Sequence, residues 1–411
     1  MKTLIQSARI IDPGSPHHGK KRDLLISSGR IQKIGASIAE SAGKVINAKD
    51  LCVSKGWIDL SARFCDPGFE YKENLKSGAS AASKGGFRYV TLMPGTHPVA
   101  DHRGAIENTL RNSGMHGIHF LPVGTLSAKM EGKQLSEMFD MFSAGAVAFS
   151  DDKNNVSTEM LSRALEYSSN FGGLVMTFPY DRGINAHGQM HEGALSVSLG
   201  MKGIPNVSEE IRVMRDLELL RYHGGRLHFA AISTGKSVEL IRKAKRDGLH
   251  VTCAVAAHQL MFTDEDLMSF DSNFKVLPPF RTKEERKALI AGIKDGSIDA
   301  ICSDHTPEDI EHKVREFEDA AFGISSIETT FSTALTALEK YLDVDHIIAL
   351  FTEGPSRVLG METQTIDEGN DAHFTIFSTS EKTKFNLSDW RSLSRNNPLI
   401  GTELSGKVYE L

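Results

Sequence analysis

Two carboxylates and one guanidinium stand where short apolar runs end. Asp151 closes AVAFSD (146–151), Asp304 closes DAICSD (299–304), and Arg63 lies just past GWIDLSA (56–62). A pair of aspartates can help to hold a divalent metal ion, provided that other groups with free lone pairs complete the set. An arginine keeps its proton under ordinary conditions and offers no lone pair. Carboxylates placed close together raise each other's pKa unless a cation sits between them, so the Arg63 guanidinium is expected to neutralise Asp151 and Asp304. Lys153 can pair with a neighbouring carboxylate, although an exposed lysine is the ordinary outcome. His97, His187 and His191 fall in predicted loops and are the only material for a metal site rebuilt from other ligands. His228 and His258 read as structural residues that pack or hydrogen-bond. Cys52, Cys65, Cys253 and Cys302 are far apart without CxxC spacing, which points to free thiols in a reducing compartment, the cytoplasm.

To act together, these groups need strands that converge. Eight short apolar runs qualify: residues 56–62, 89–94, 118–124, 146–151, 174–179, 227–233, 250–256 and 299–304. Helical patterns such as 209–223, 237–248 and 284–296 lie between them, the last two closing on glycine as a helix C-cap should. Strands alternating with helices predict an α/β fold, and eight strands are what a closed (β/α)8 barrel needs. Function in such a barrel sits at the C-terminal strand ends, where Asp151 and Asp304 lie. Residues 1–54 read as β-hairpins, and DAHFTIFS and GKVYEL regain strand character near the other end. The expected division is a barrel over 55–365 and a small β-sandwich domain composed of 1–54 and 366–411.

The 411 residues are 40% hydrophobic and 24% charged, ordinary for a globular chain with a sizeable core. The net charge of −6 comes with no block of Lys or Arg, so neither nucleic acid nor an anionic membrane is an expected partner. No apolar run is long enough to span a bilayer, and the first residues lack the apolar core of a signal peptide.

The segment DLSARFCDPGFEYKE (59–73) resembles the dihydroorotase motif D-x-H-x-H-L-R-x-P-G-x-x-x-K-E, keeping Asp59, Pro67, Gly68, Lys72 and Glu73. The resemblance continues through MPGTHP (93–98), FSDD (149–152), TFPYD (177–181), LHFAAIST (227–234), KVLPPFR (275–281), CSDHTPE (302–308) and AAFGISSIET (320–329). It implies a metallo-dependent hydrolase barrel acting on cyclic amides. It also implies which positions carry the chemistry. Asp151 matches the metal-bridging carboxylate and Asp304 the catalytic base and metal ligand. The other metal positions hold Ser61, Arg63, Phe178 and Ala231 in place of histidines. On the substrate side, Cys65 replaces an arginine, Gly95 and Leu277 replace asparagines, and Glu308 replaces a histidine.

Phe178 and Ala231 have no lone pair to give, and Arg63 brings positive charge to a cation site. The remaining set cannot form the two-metal clamp that activates water. The resemblance therefore implies a catalytically silent homologue with Asp304 vestigial and no cofactor, a structural or regulatory partner of aspartate carbamoyltransferase in pyrimidine biosynthesis, and itself a homodimer. The alternative is an active dihydroorotase or related cyclic-amide hydrolase, converting dihydroorotate and water to N-carbamoyl-aspartate at a reduced or rearranged zinc site.

Overall fold

The computed structural model describes residues 2–411. All eight expected barrel strands form, as Trp57–Ala62, Phe87–Leu92, His119–Gly124, Ala148–Phe149, Leu174–Thr177, Arg226–Phe229, Val251–Ala256 and Ala300–Cys302. They pair in parallel and in sequence order. A bridge between Ala62 and His305 joins the last strand to the first: the His305 amide donates to Ser61 O at 3.2 Å and the Arg63 amide to His305 O at 3.0 Å. The strands are apolar on both faces because one face meets the barrel interior and the other the helices. Interior residues such as Ile58, Leu60, Met176, Ala254 and Ala300 form one cluster, whereas Phe149, Val175, Leu227 and Val255 pack outward into the helical layer.

The helices sit where periodicity places them, at Val207–His223, Gly235–Arg246 and Lys283–Lys294. Thr234 and Thr282 cap the last two by accepting from the Ser237 and Glu285 amides. Gly248 and Gly296 then take φ of +83° and +76°, the left-handed turn that stops each helix at little cost only with glycine.

Strands from both ends of the chain build one further sheet. Its order is Glu403–Tyr409, Phe374–Lys384, Leu51–Lys55, Lys2–Ile11, Lys21–Ser27, Arg30–Gly35, with Lys44–Ile46 pairing beside Lys2–Ile11. Val53 is central, parallel to Ile10 on one side and antiparallel to Ile376 on the other. The sheet keeps its own core, which includes Ile5, Ile10, Leu24, Val53, Phe374 and Ile376. No described helix is long and apolar enough to cross a membrane.

Candidate functional site

The loops leaving the C-terminal strand ends bring four charges together at the barrel mouth. Arg63 follows the first strand, Asp152 and Lys153 the fourth, Asp304 the eighth. Arg63 Nε donates to Asp152 Oδ2 at 2.9 Å and its Nη2 to Asp152 Oδ1, a bidentate pair. Arg63 Nη1 reaches Asp304 Oδ1 and Thr306 Oγ1, both at 3.0 Å. Lys153 Nζ takes the other Asp304 oxygen at 3.0 Å and also donates to Leu277 O at 3.0 Å. Two cations thus face two carboxylates, and Ser61 Oγ adds a long hydrogen bond of 3.4 Å to Asp304 Oδ1.

Burial and the facing charges together set the protonation of this group. Desolvation alone would push the Asp304 carboxyl up, but Lys153 and Arg63 overcome it and hold Asp304 below the ordinary carboxylate range. Burial works against the Arg63 charge too, yet Asp152 and Asp304 more than compensate and tighten its grip on the proton. Lys153 ends below the ordinary lysine range, because burial and the adjacent Arg63 outweigh Asp304. Asp304 itself takes φ +45° and Asp152 φ +52°, a region that side chains other than glycine rarely adopt.

Around this cluster the mouth is apolar. Phe178, Ala231 and Leu277 are all buried and pack with Tyr180, Ile204 and Phe322 in one cluster. Lys153 Nζ lies 5.5 Å from the centroid of the Phe178 ring, a cation–π contact. Three of the residues singled out in the sequence are therefore joined in one hydrophobic plug.

Asp151 behaves differently from the expectation. Its carboxylate accepts from the Leu126 and Ser127 amides at 2.9 Å each and from Ser127 Oγ. It holds the loop after the third strand, and Arg63 pairs with Asp152 instead. Burial keeps Asp151 above the ordinary range despite those donors. The predicted Arg63 bridge is thus corrected on one side and found on the other, at Asp304. Lys153 is paired and largely buried, not a solvated lysine.

The other residues singled out in the sequence divide. Glu308 pairs with Lys72 at 2.8 Å. Cys65 lies near the mouth, its thiol pushed up to about 12 by burial. A Cβ at Gly95 would meet Asp152 Oδ2 at 3.0 Å. His228 is fully buried and bonded through Nδ1 to Thr252 Oγ1 at 2.8 Å. His258 packs edge-on to Phe280 at 5.7 Å and makes no hydrogen bond among the described residues. His191 is buried with Nδ1 3.3 Å from Arg281 Nη1. Asp152 and Thr306 were not foreseen as Arg63 partners; the only signal was that Asp152 adjoins Asp151.

A divalent metal does not fit this donor set. Among the described residues no three His, Cys, Asp or Glu side chains converge as metal ligands, and both Asp304 oxygens are engaged by cations.

A family model described as dihydro-orotase-like matches residues 51–237. A dihydroorotase of Syntrophus aciditrophicus is 37% identical over 417 residues, covering 99% of this chain and 97% of that relative. One of Acetivibrio thermocellus is 38% identical over 410 residues, covering 99% and 96%. Among solved structures, the L-hydantoinase (dihydropyrimidinase) of Arthrobacter aurescens superposes with a TM-score of 0.84 at 23% identity, covering 99% of this chain and 93% of that one. The dihydropyrimidinase of Brevibacillus agri gives 0.81 at 18%, with the same coverage. These structural likenesses establish the barrel with its extra sheet.

Proposed function

Because the chain belongs to the dihydroorotase family of cyclic amidohydrolases, we propose that it is a metal-free and catalytically silent member, retained for its surface and not for hydrolysis. One observation carries this reading: both oxygens of Asp304 are held by protein cations, Arg63 and Lys153, at 3.0 Å each. A metal ion or a proton arriving at either oxygen has to compete with the cation already bound there, Arg63 on Oδ1 and Lys153 on Oδ2. The apolar plug of Phe178, Ala231 and Leu277 supports the same reading, since it offers a polar cyclic amide neither lone pair nor donor.

The role proposed is that of structural or regulatory partner to an aspartate carbamoyltransferase, suggested by the family and by nothing in the mouth itself. Four free cysteines are in keeping with a cytoplasmic setting.

The second reading is an active dihydroorotase, hydrolysing dihydroorotate to N-carbamoyl-aspartate. What favours it is the full-length identity of 37–38% to chains bearing that name; taken alone, the comparisons favour it over the silent reading. Metal analysis of the purified protein with a dihydroorotate hydrolysis assay separates the two. The silent reading expects no stoichiometric metal and no turnover above buffer. Stoichiometric zinc, with turnover abolished by Asp304→Ala, would overturn it in favour of the second.

A further inference from the structure

A cleft of about 860 Å³ opens where the sheet built from both chain ends meets the barrel helices. The strands Lys44–Ile46, Phe374–Lys384 and Glu403–Tyr409 line it, together with the turn 388–391, the end of the helix Leu75–Lys84 and the first turn of the helix Thr330–Leu338. Such a volume suits a small organic molecule. Phe331 and Phe385, both buried, give the cleft an apolar base. Trp390 stands half-buried beside them, and its indole N–H donates to Ser394 O at 2.9 Å, which fixes the ring.

Six cationic side chains line the cleft against three carboxylates, in a chain whose net charge is −6. Four of the cations are already paired. Lys84 meets Glu328 at 3.1 Å, Arg391 meets Glu410 at 3.4 Å, Lys407 meets Glu381 at 3.0 Å and Lys382 meets Glu403 at 3.4 Å. Lys44 and Lys384 have no carboxylate partner among the described residues; Lys44 donates to the Glu410 carbonyl oxygen at 2.9 Å. Asp389, exposed on the turn, is the cleft carboxylate left without a cation among the described residues.

We propose that this cleft binds a nucleoside phosphate. Each part of such a ligand meets a group that the chain leaves unused. Two ammonium groups without a counter-charge suit the phosphate. The fixed Trp390 ring offers a face on which a base can stack. The Asp389 carboxylate can accept from ribose hydroxyls, whereas it would only repel a bare inorganic anion. A nucleic-acid strand is disfavoured, since Glu381, Glu403 and Glu410 interrupt any continuous cationic track. The cleft shares no residue with the Arg63–Asp304 cluster, so its occupancy is independent of whether the barrel hydrolyses anything.

The chain carries two tryptophans and Trp57 is fully buried, so emission from Trp390 reports on the cleft. Titration of the full-length protein with ADP is expected to quench this emission saturably below about 1 mM, with calorimetry returning the same Kd. Adenosine alone and inorganic pyrophosphate alone are each expected to bind about tenfold or more weakly, because each lacks one half of the contacts. K44E/K384E is expected to weaken ADP about tenfold or more, with unchanged far-ultraviolet circular dichroism. Should that double variant fail to fold, Lys384→Gln at the exposed strand end gives a smaller loss in the same direction. Trp390→Phe is expected to abolish the optical signal while calorimetry still detects ADP. The proposal is overturned by an absence of saturable ADP binding up to about 1 mM, by an affinity unchanged in the lysine variants, or by adenosine or pyrophosphate binding as tightly as ADP.

Discussion

Arg63 touches two carboxylates and Asp304 touches two cations, so these side chains are stabilised as a set. Removing Arg63 leaves Asp152 without a paired counter-charge among the described residues and Asp304 with Lys153 alone. Breaking a largely buried pair from one side costs about 3–5 kcal/mol, because a charge stays behind desolvated. Arg63→Met is accordingly expected to lower the unfolding free energy at neutral pH by that order, read from urea titration with an unchanged m-value. The pH dependence has a definite sign. The folded Asp304 carboxyl sits below its unfolded range, held there by Lys153 and Arg63 against burial, so its stabilisation is present above about pH 4 and lost as pH falls through the lower folded value. The penalty of Arg63→Met should therefore shrink in strongly acidic solution. A penalty equally large there would show that Arg63 acts by packing alone.

The loops succeed each other around the mouth as packed elements, and the plug is where they meet. Phe178 follows the fifth strand, Ala231 the sixth and Leu277 lies beyond the seventh, so one apolar cluster ties three strand ends together. Phe178→Ala would remove the largest of these three side chains from a buried position, at an expected cost of about 3–5 kcal/mol. The loop after the second strand is coupled to the charges instead. A Cβ on Gly95 would press on Asp152 Oδ2 at 3.0 Å, and that oxygen is pinned by Arg63 Nε. Gly95→Ala should cost about 1–3 kcal/mol, and less in an Arg63→Met background, where Asp152 can yield; equal costs in both backgrounds would separate the two sites. This coupling also bounds what the sequence made legible. That Phe178 and Ala231 carry no lone pair and that Arg63 carries a positive charge was readable residue by residue, whatever their neighbours. What each of them meets at the mouth was not. Whether Asp151 or Asp152 turns toward Arg63 depends on the Leu126 and Ser127 amides, which belong to another loop. The joining of Phe178, Ala231 and Leu277 into one plug also needed Ile204 and Phe322, which no local pattern connects to them.

At the scale of the molecule, strand number and order were legible because each strand carries its own apolar run, and parallel pairing in sequence order leaves few other topologies. The protonation states of the interior were not legible, since they follow from burial that only closure creates. His228 lies on the sixth strand, fully buried, and burial lowers its pKa to about 3 from the ordinary 6.5. The unfolded chain binds this proton below about pH 6.5 while the folded chain refuses it until about pH 3, so the unfolded state holds more protons throughout that window. Stability contributed by the neutral imidazole is thus complete above pH 6.5 and declines as pH falls toward 3. His191 is also kept neutral by burial and by Arg281, to about 4, and slopes the same way. The urea midpoint is therefore expected to drop between pH 7.5 and pH 5, more steeply than carboxylates alone require. His228→Gln keeps a polar group near Thr252 but cannot titrate, so it should flatten this drop while lowering the midpoint at pH 7.5. A variant with a lower midpoint and an unaltered slope would mean that His228 is protonated inside the fold, and that the barrel interior is wetter than its packing implies.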